Sequence, residues 1–109
     1  MKELTRKEEQ VLMAVHHLQD EACLIAICEQ VFCYTGNRYS PGTIYAPLNR
    51  LDINGYIEAR CGRNPEFSSK KPIRFYRLTK KGRAALVELQ RSHLLLWSGF
   101  VAPQEEKAR

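Results

Sequence analysis

Long hydrophobic runs are absent from this sequence of 109 residues. The longest apolar stretch, residues 94–102, is about half of the roughly 20 residues that a membrane-spanning helix requires, and Ser98 and Gly99 interrupt it. The N-terminus is charged and runs directly into a helical pattern, so we expect no signal peptide. These two absences predict a cytoplasmic protein that does not cross a membrane.

Metal-binding and catalytic motifs are also missing. The four cysteines form no C-x-x-C pair and have no histidines at zinc-ligand spacing, so we expect reduced thiols that are buried or partly buried. His16 and His17 are adjacent and would point to different sides of a helix. The chain has no glycine-rich phosphate loop, no G-x-S-x-G and no H-E-x-x-H. We therefore predict no metal, no cofactor and no enzymatic activity.

Acidic residues are almost absent from residues 60–83. This segment has nine basic side chains against one acid, Glu66, in a chain whose net charge is +5. The basic residues are Arg60, Arg63, Lys70, Lys71, Arg74, Arg77, Lys80, Lys81 and Arg83. Such a concentrated positive field is compatible with a polyanionic partner, although a charge run considered alone is usually a solvated surface.

Three helices are predicted before this basic segment. Thr5 and Glu8 form a T-x-x-E capping box ahead of a helix over 6–18, and after a polar break an apolar stripe predicts a second helix over 24–34. The third begins at Ser40, an N-cap followed by Pro41, and ends before Gly55 in a left-handed turn. Its apolar face consists of Ile44, Leu48 and Leu51, and its opposite face carries Thr43, Asn49, Arg50 and Asn54. Such polar side chains bond to phosphates and base edges, so the pattern indicates a helix-turn-helix.

Pro47 lies inside the third helix, where it removes a backbone donor and would cost about 3 kcal/mol in an ideal helix interior. We therefore expect a kink or an irregular first turn.

Two strands, over 56–60 and 73–78, are predicted to enclose a loop over 61–72 that is rich in turn residues. Following a helix-turn-helix, such a hairpin is a wing, and Arg63, Lys70 and Lys71 would lie beside the DNA backbone. The predicted fold is α+β, mainly α: a winged helix-turn-helix with a two-stranded wing over residues 1–79 and a long C-terminal dimerisation helix.

The last helix is predicted over 80–97 with Thr79 as its N-cap, and residues 80–102 form a dimerisation element packed on the same domain, followed by a polar tail over 103–109. Its apolar residues spread around more than one face, so a small domain needs a second copy to cover them. The predicted interface residues are Leu4, Leu86, Leu89, His93, Leu94, Leu96, Trp97 and Phe100. Trp97 could stack a planar aromatic effector between subunits, although a plain interface anchor is the favoured role.

Three motifs together resemble the PadR family of bacterial winged-helix transcriptional regulators. They are S-x-G-T-I-Y at 40–45, L-x-R-L-x-x-x-G-Y-I at 48–57 and R-x-Y-R-L-T-x-x-G at 74–82. The resemblance covers about residues 4 to 90, and the chain is similar to the short members, which lack a separate C-terminal dimerisation domain.

The resemblance implies a dimeric repressor that binds double-stranded DNA. The two recognition helices of a symmetric dimer would match a palindromic operator. Release by a small aromatic effector is a further hypothesis, which depends on Trp97. The resemblance assigns DNA contacts to Ser40, Thr43, Tyr45, Asn49, Arg50, Lys70, Lys71 and Arg74. Tyr45 could instead close the edge of the core. A protein-binding adaptor without specific DNA binding is the alternative function. Cys61, between Arg60 and Arg63, is a redox candidate, but an inert thiol is favoured.

Overall fold

A computed structural model describes residues 3–62 and 73–103, and these form four helices and a two-stranded antiparallel sheet. The elements in chain order are α1 (Arg6–Leu18), a 3₁₀ turn (Gln19–Glu21), α2 (Leu24–Thr35), α3 (Pro41–Ile53), β1 (Ile57–Gly62), β2 (Ile73–Leu78) and α4 (Lys80–Leu96). The arrangement is a mainly helical winged helix-turn-helix, which confirms the predicted fold class.

The helix ends are set by local hydrogen bonds. The hydroxyl of Thr5 accepts from the backbone N–H of Glu8 at 3.1 Å and Glu8 Oε1 accepts from the backbone N–H of Thr5 at 2.9 Å, which confirms the capping box. Ser40 and Thr79 cap α3 and α4 through their hydroxyls alone, which accept from the backbone N–H groups of Thr43 and Gly82. Gly55 has φ 83°, the left-handed turn predicted after α3. α2 is one residue longer than predicted, and α3 and α4 each end one residue earlier.

The first strand differs from its predicted bounds of 56–60. Tyr56 donates its backbone N–H to the carbonyl of Leu51 at 3.0 Å, so it closes the end of α3 instead of joining the ladder. The strand then continues through two residues predicted in the loop, with the pairs Cys61↔Arg74 and Gly62↔Ile73. The rest of the predicted loop, 63–72, lies outside the described residues.

The sheet also contacts the segment between α1 and α2. Cys23 forms an isolated antiparallel bridge with Phe75, and Tyr76 donates its backbone N–H to the carbonyl of Ala22 at 2.9 Å. Sequence patterns did not predict this pairing. It fixes β2 to the start of α2 and places the wing beside the helix-turn-helix.

The core lies where the apolar faces of α1, α2 and α3 meet the sheet. Its largest fully buried side chains are Val11, Leu12, Val15, Ile27, Val31, Ile44, Leu48, Leu51 and Ile57. Pro47 is buried on the same face of α3, which runs through it without interruption. The first turn is regular, since the N–H of Ile44 donates to the carbonyl of Ser40 at 3.2 Å. Of the two alternatives expected from Pro47, a kink or an irregular first turn, the second is therefore wrong. Pro47 removes only the donor that would have met the carbonyl of Thr43.

The thiols are more exposed than predicted. Cys23 and Cys28 are partly buried, but Cys33 and Cys61 are exposed, because Cys33 follows the solvent side of α2 and Cys61 lies near the end of β1. The expectation of buried or partly buried thiols is therefore wrong for these two residues.

Candidate nucleic-acid interface

The N-terminal turn of α3 is exposed from its cap onward. Ser40, Pro41, Gly42 and Thr43 are all solvent accessible. The hydroxyls of Ser40 and Thr43 lie 2.9 Å apart, and Ser40 Oγ accepts from the backbone N–H of Thr43 at 3.2 Å. Backbone N–H groups and the helix dipole give such a terminus a partial positive charge, which suits phosphate oxygens.

The centre of the exposed face of α3 carries small residues in the first two turns and Ile53, which is 74% exposed, in the last turn. Opposite the buried stripe, Gly42 and Ala46 are exposed at its centre, with the partly buried Asn49 beside them. Tyr45 and Arg50 lie at opposite edges of this face. The sequence analysis predicted DNA contacts from polar residue types and did not include Gly42 and Ala46. Their positions opposite the apolar stripe would have identified them as part of the exposed face.

Arg50 is tied to α1. Its Nε donates to Oε2 of Glu8 at 2.7 Å, and the Glu8 side chain is 7% exposed whereas that of Arg50 is 47% exposed. The structure therefore places this predicted DNA contact at the edge of α3 that faces α1, with one donor already engaged and its remaining N–H groups on a half-exposed side chain.

Tyr45 lies at the other edge, towards β2. Its side chain is 42% exposed, so it is outside the buried core. Together with Ile25, Ile73 and Arg74 it lines an apolar cleft of about 550 Å³ between α2, α3 and β2. The structure thus brings two predicted DNA contacts, Tyr45 and Arg74, to the same edge of α3.

Arg74 extends this surface onto the wing. It is exposed, and a hydrogen bond with Tyr76 together with the charge interaction between the two raises the pKa of Arg74 above its ordinary value. Burial raises the pKa of the Tyr76 hydroxyl, an effect that Arg74 opposes. Arg74 therefore stays cationic at all physiological pH values. The remaining predicted wing contacts, Arg63, Lys70 and Lys71, lie outside the described residues.

The opposite face of the sheet carries a second set of charges. Arg77 donates from Nε to Oε2 of Glu58 at 3.0 Å, and the Arg60 guanidinium lies 5.7 Å from the centre of the Phe75 ring. Arg77 is thus paired with an acid across the ladder, which reduces its contribution to the positive field. On the described part of the wing, the charge closest to α3 comes from Arg74.

A separate apolar groove lies between α1 and α4. Its volume is about 740 Å³, and its apolar lining residues include Met13, Tyr34, Leu86, Leu89, Leu94 and Trp97. His93 and Glu9 bridge it, with His93 Nε2 and Glu9 Oε1 3.1 Å apart. The structure brings five of the predicted interface residues to this groove: Leu86, Leu89, His93, Leu94 and Trp97.

The other predicted interface residues lie nearby. Leu4 and Leu96 line a smaller groove on the other side of α4, although Leu4 also packs against the core. The Phe100 ring meets the Trp97 ring edge to face, with centroids 5.1 Å apart. Leu94, Leu96, Trp97 and Phe100 each expose more than half of their side-chain surface. A contiguous apolar surface therefore runs along the C-terminal half of α4.

Among the described residues, 3–62 and 73–103, no helix is long and apolar enough to span a bilayer, and no three His, Cys, Asp or Glu side chains come together as metal ligands.

Comparison with known proteins identifies relatives of this chain. Transcriptional regulator Rv3488 of Mycobacterium tuberculosis is 35% identical over 81 residues, which cover 74% of this chain and 72% of that protein. A PadR-like transcription factor from Bacteroides fragilis has a structure that matches with a TM-score of 0.69 at 24% identity, over 84% of this chain and 85% of that chain. RosR of H. salinarum matches with a TM-score of 0.70 at 21% identity, over 92% and 83% of the two chains.

The two structural likenesses establish the fold, and the sequence matches establish the family. The profile of the transcriptional regulator PadR-like family matches residues 13–88, which contain the whole of α2, α3, β1 and β2. Its members are transcriptional regulators. The chain therefore belongs to the PadR-like family of transcriptional regulators.

Proposed function

We propose that this regulator is a sequence-specific DNA-binding repressor that inserts α3 into the major groove of an operator. The observation that carries the proposal is the exposed face of α3, which begins at a capped, solvent-accessible helix N-terminus and is continued by the exposed Arg74 of the wing. Donors of this kind bind phosphates and base edges, and a helix of this length fits the major groove. Arg63, Lys70 and Lys71 of the wing would add phosphate contacts.

We further propose that the repressor acts as a homodimer on a palindromic site, in the cytoplasm where the genome is accessible. The apolar groove between α1 and α4 and the exposed Leu94, Leu96 and Trp97 favour a second copy of this chain as the occupant. A symmetric pair would present two α3 helices to two half-sites.

Release by a small aromatic effector is the finer part of the proposal. Trp97 is 55% exposed at the end of the groove, and its indole offers a flat apolar face for stacking. The same exposure fits an interface anchor that needs no ligand. Quenching of Trp97 fluorescence by an aromatic compound, together with loss of DNA binding, would support an effector.

The DNA-binding proposal is tested by fluorescence anisotropy at two salt concentrations. The probes are a duplex selected from a random pool by the wild-type protein and a scrambled duplex of equal length. We expect the selected duplex to bind about a thousandfold or more tightly at physiological salt. Arg74→Ala should weaken both duplexes and lower the salt dependence by about one phosphate contact. Arg91→Ala on α4, where Arg91 pairs with Glu88, removes the same charge and is the matched control.

The selected duplex could bind no more tightly than the scrambled one, which would contradict the proposal. Equal, weak and steeply salt-dependent binding to both duplexes would show only a basic surface. The alternative function, a winged-helix adaptor that binds proteins, would then be favoured.

A further inference from the structure

Glu8 is unusual in being a buried charge. Among the residues that the structure describes it is the only buried charged residue, with 5% of its whole-residue surface exposed. One of its oxygens serves the capping box, where Oε1 accepts from the backbone N–H of Thr5 at 2.9 Å. A capping glutamate can do this while exposed to water, so the cap alone does not require burial.

The second oxygen reaches a different helix. Oε2 accepts from Nε of Arg50 at 2.7 Å, a contact between residues 42 positions apart in sequence. Burying an ion pair adds little net stability compared with well-packed apolar residues, but such a pair can fix a specific geometry. Because the guanidinium is planar, a carboxylate that holds Nε also sets the direction in which the terminal amino groups point.

The same turn of α1 contacts the segment that precedes α3. Nζ of Lys7 lies 3.3 Å from the centre of the Tyr39 ring, and Tyr39 immediately precedes the cap Ser40. The pKa of Tyr39 is lowered, and the largest cause is a hydrogen bond with Lys7. The first turn of α1 therefore holds α3 at two places, just before its first residue and at Arg50 in its third turn.

We infer that Glu8 is a positioning residue for DNA recognition, one that orients Arg50 and the exposed face of α3 towards base edges without touching DNA itself. The inference rests on the proposed function. It assigns Glu8 a role opposite to that expected from its charge, since removing an acid near a DNA-binding surface would otherwise strengthen binding to every duplex.

The test compares Glu8→Gln with the wild type on the selected and scrambled duplexes. Glutamine retains the size of the side chain and an acceptor but loses the charge that holds Arg50. We expect affinity for the selected duplex to fall about tenfold, while affinity for the scrambled duplex stays constant or rises. The matched control is Glu29→Gln, because Glu29 also pairs with an arginine, Arg38 at 3.0 Å, but in an exposed position. The ratio of affinities of Glu29→Gln for the selected and scrambled duplexes should equal that of the wild type.

Three outcomes are distinguishable. A wild-type protein that binds both duplexes equally overturns the proposed function, and with it this inference. A selective wild type with an equally selective Glu8→Gln variant overturns the inference alone. A loss of selectivity in Glu8→Gln, but not in Glu29→Gln, supports it.

A second variant keeps the inference testable if Glu8→Gln fails to fold. Arg50→Lys keeps the positive charge on the surface but has no Nε–H fork for Glu8 to orient. If Arg50→Lys is about tenfold less selective between the two duplexes than the wild type, with an unchanged salt dependence, the result supports the positioning of Arg50 by Glu8. Unchanged selectivity would show that a charge at this position is sufficient, and would overturn it.

Discussion

Gly42 is a glycine that the folded chain does not need. It is absent from the positions with positive φ, and a Cβ added there would have no atom within 4 Å. Because glycine destabilises helices by about 0.5–1 kcal/mol relative to alanine, Gly42→Ala should raise the free energy of unfolding by about 0.5 kcal/mol. We also expect about fivefold weaker binding to the selected duplex, since the added methyl group projects from the face that we propose approaches DNA, a loss of about 1 kcal/mol. Urea denaturation and anisotropy measure the two effects.

The control for Gly42 is Gly36→Ala. Gly36 ends α2 with φ 75°, so alanine there is strained and should lower stability by about 1 kcal/mol without changing the ratio of DNA affinities. Stabilisation by Gly42→Ala with unaltered DNA affinity would show that DNA does not closely approach this turn.

The thiols should differ in reactivity. Burial, followed by the charges of Glu29 and Cys23, raises the pKa of the Cys28 thiol. A raised pKa reduces the thiolate fraction at any pH below it, and the thiolate is the reactive form. We therefore expect iodoacetamide at pH 8 to alkylate Cys28 more slowly than the exposed Cys33 and Cys61, as followed by mass spectrometry of quenched samples. Equal rates for all three would contradict the burial of Cys28.

At the scale of elements, α4 depends on close contact with the turn after α3. A Cβ added to Gly82 would lie 2.0 Å from the carbonyl oxygen of Tyr56, and the same carbonyl accepts from the backbone N–H of Thr79 at 3.1 Å. Since backbone must move, Gly82→Ala should destabilise the protein by about 2 kcal/mol. Thermal unfolding would measure this, with the exposed neighbour Arg83→Ala as control. A variant as stable as the wild type would mean that α4 shifts freely on the sheet.

The elements themselves were predictable because their signals are local. A capping side chain acts within three residues of its own position, as at Thr5, Ser40 and Thr79, and an apolar stripe depends only on the helical repeat. β2 was predicted with its observed bounds because its boundaries are marked by Pro72 and by the Thr79 cap.

Contacts between elements were not predictable in the same way. The pairing of Glu8 with Arg50 requires α1 and α3 to cross at a particular angle, and no local pattern encodes that angle. The bridge between Cys23 and Phe75 likewise joins segments that are distant in sequence. Arg50 was therefore predicted from its residue type, its position on the polar face of the helix and the family resemblance, whereas its attachment to α1 emerged only from the fold.

At the scale of the whole molecule, α4 is a helix with two open sides. The groove towards α1 ends at Trp97, and the smaller groove on the other side includes Leu96. Val87 is also exposed on α4 but lines neither groove. This difference allows the proposed dimer interface to be tested with matched charges on one helix.

Trp97→Glu should disrupt the proposed dimer. A charge buried in an apolar interface without a partner is costly, and loss of a tryptophan anchor typically removes at least 2 kcal/mol, so we expect the dimer dissociation constant to rise about thirtyfold or more. Sedimentation velocity over a range of concentrations measures the change. Val87→Glu introduces the same charge outside both grooves and should remain as dimeric as the wild type.

The proposed dimer also predicts how the two variants should bind DNA. If two α3 helices contact one palindrome, Trp97→Glu should bind the full selected site only as tightly as it binds a single half-site. Val87→Glu should still bind the full site more tightly than a half-site, because both of its α3 helices contact DNA. Equal loss in both variants would place the interface on another part of α4. A wild type that sediments as a monomer yet binds the palindrome tightly would instead show that DNA, and not the groove, brings the two copies together.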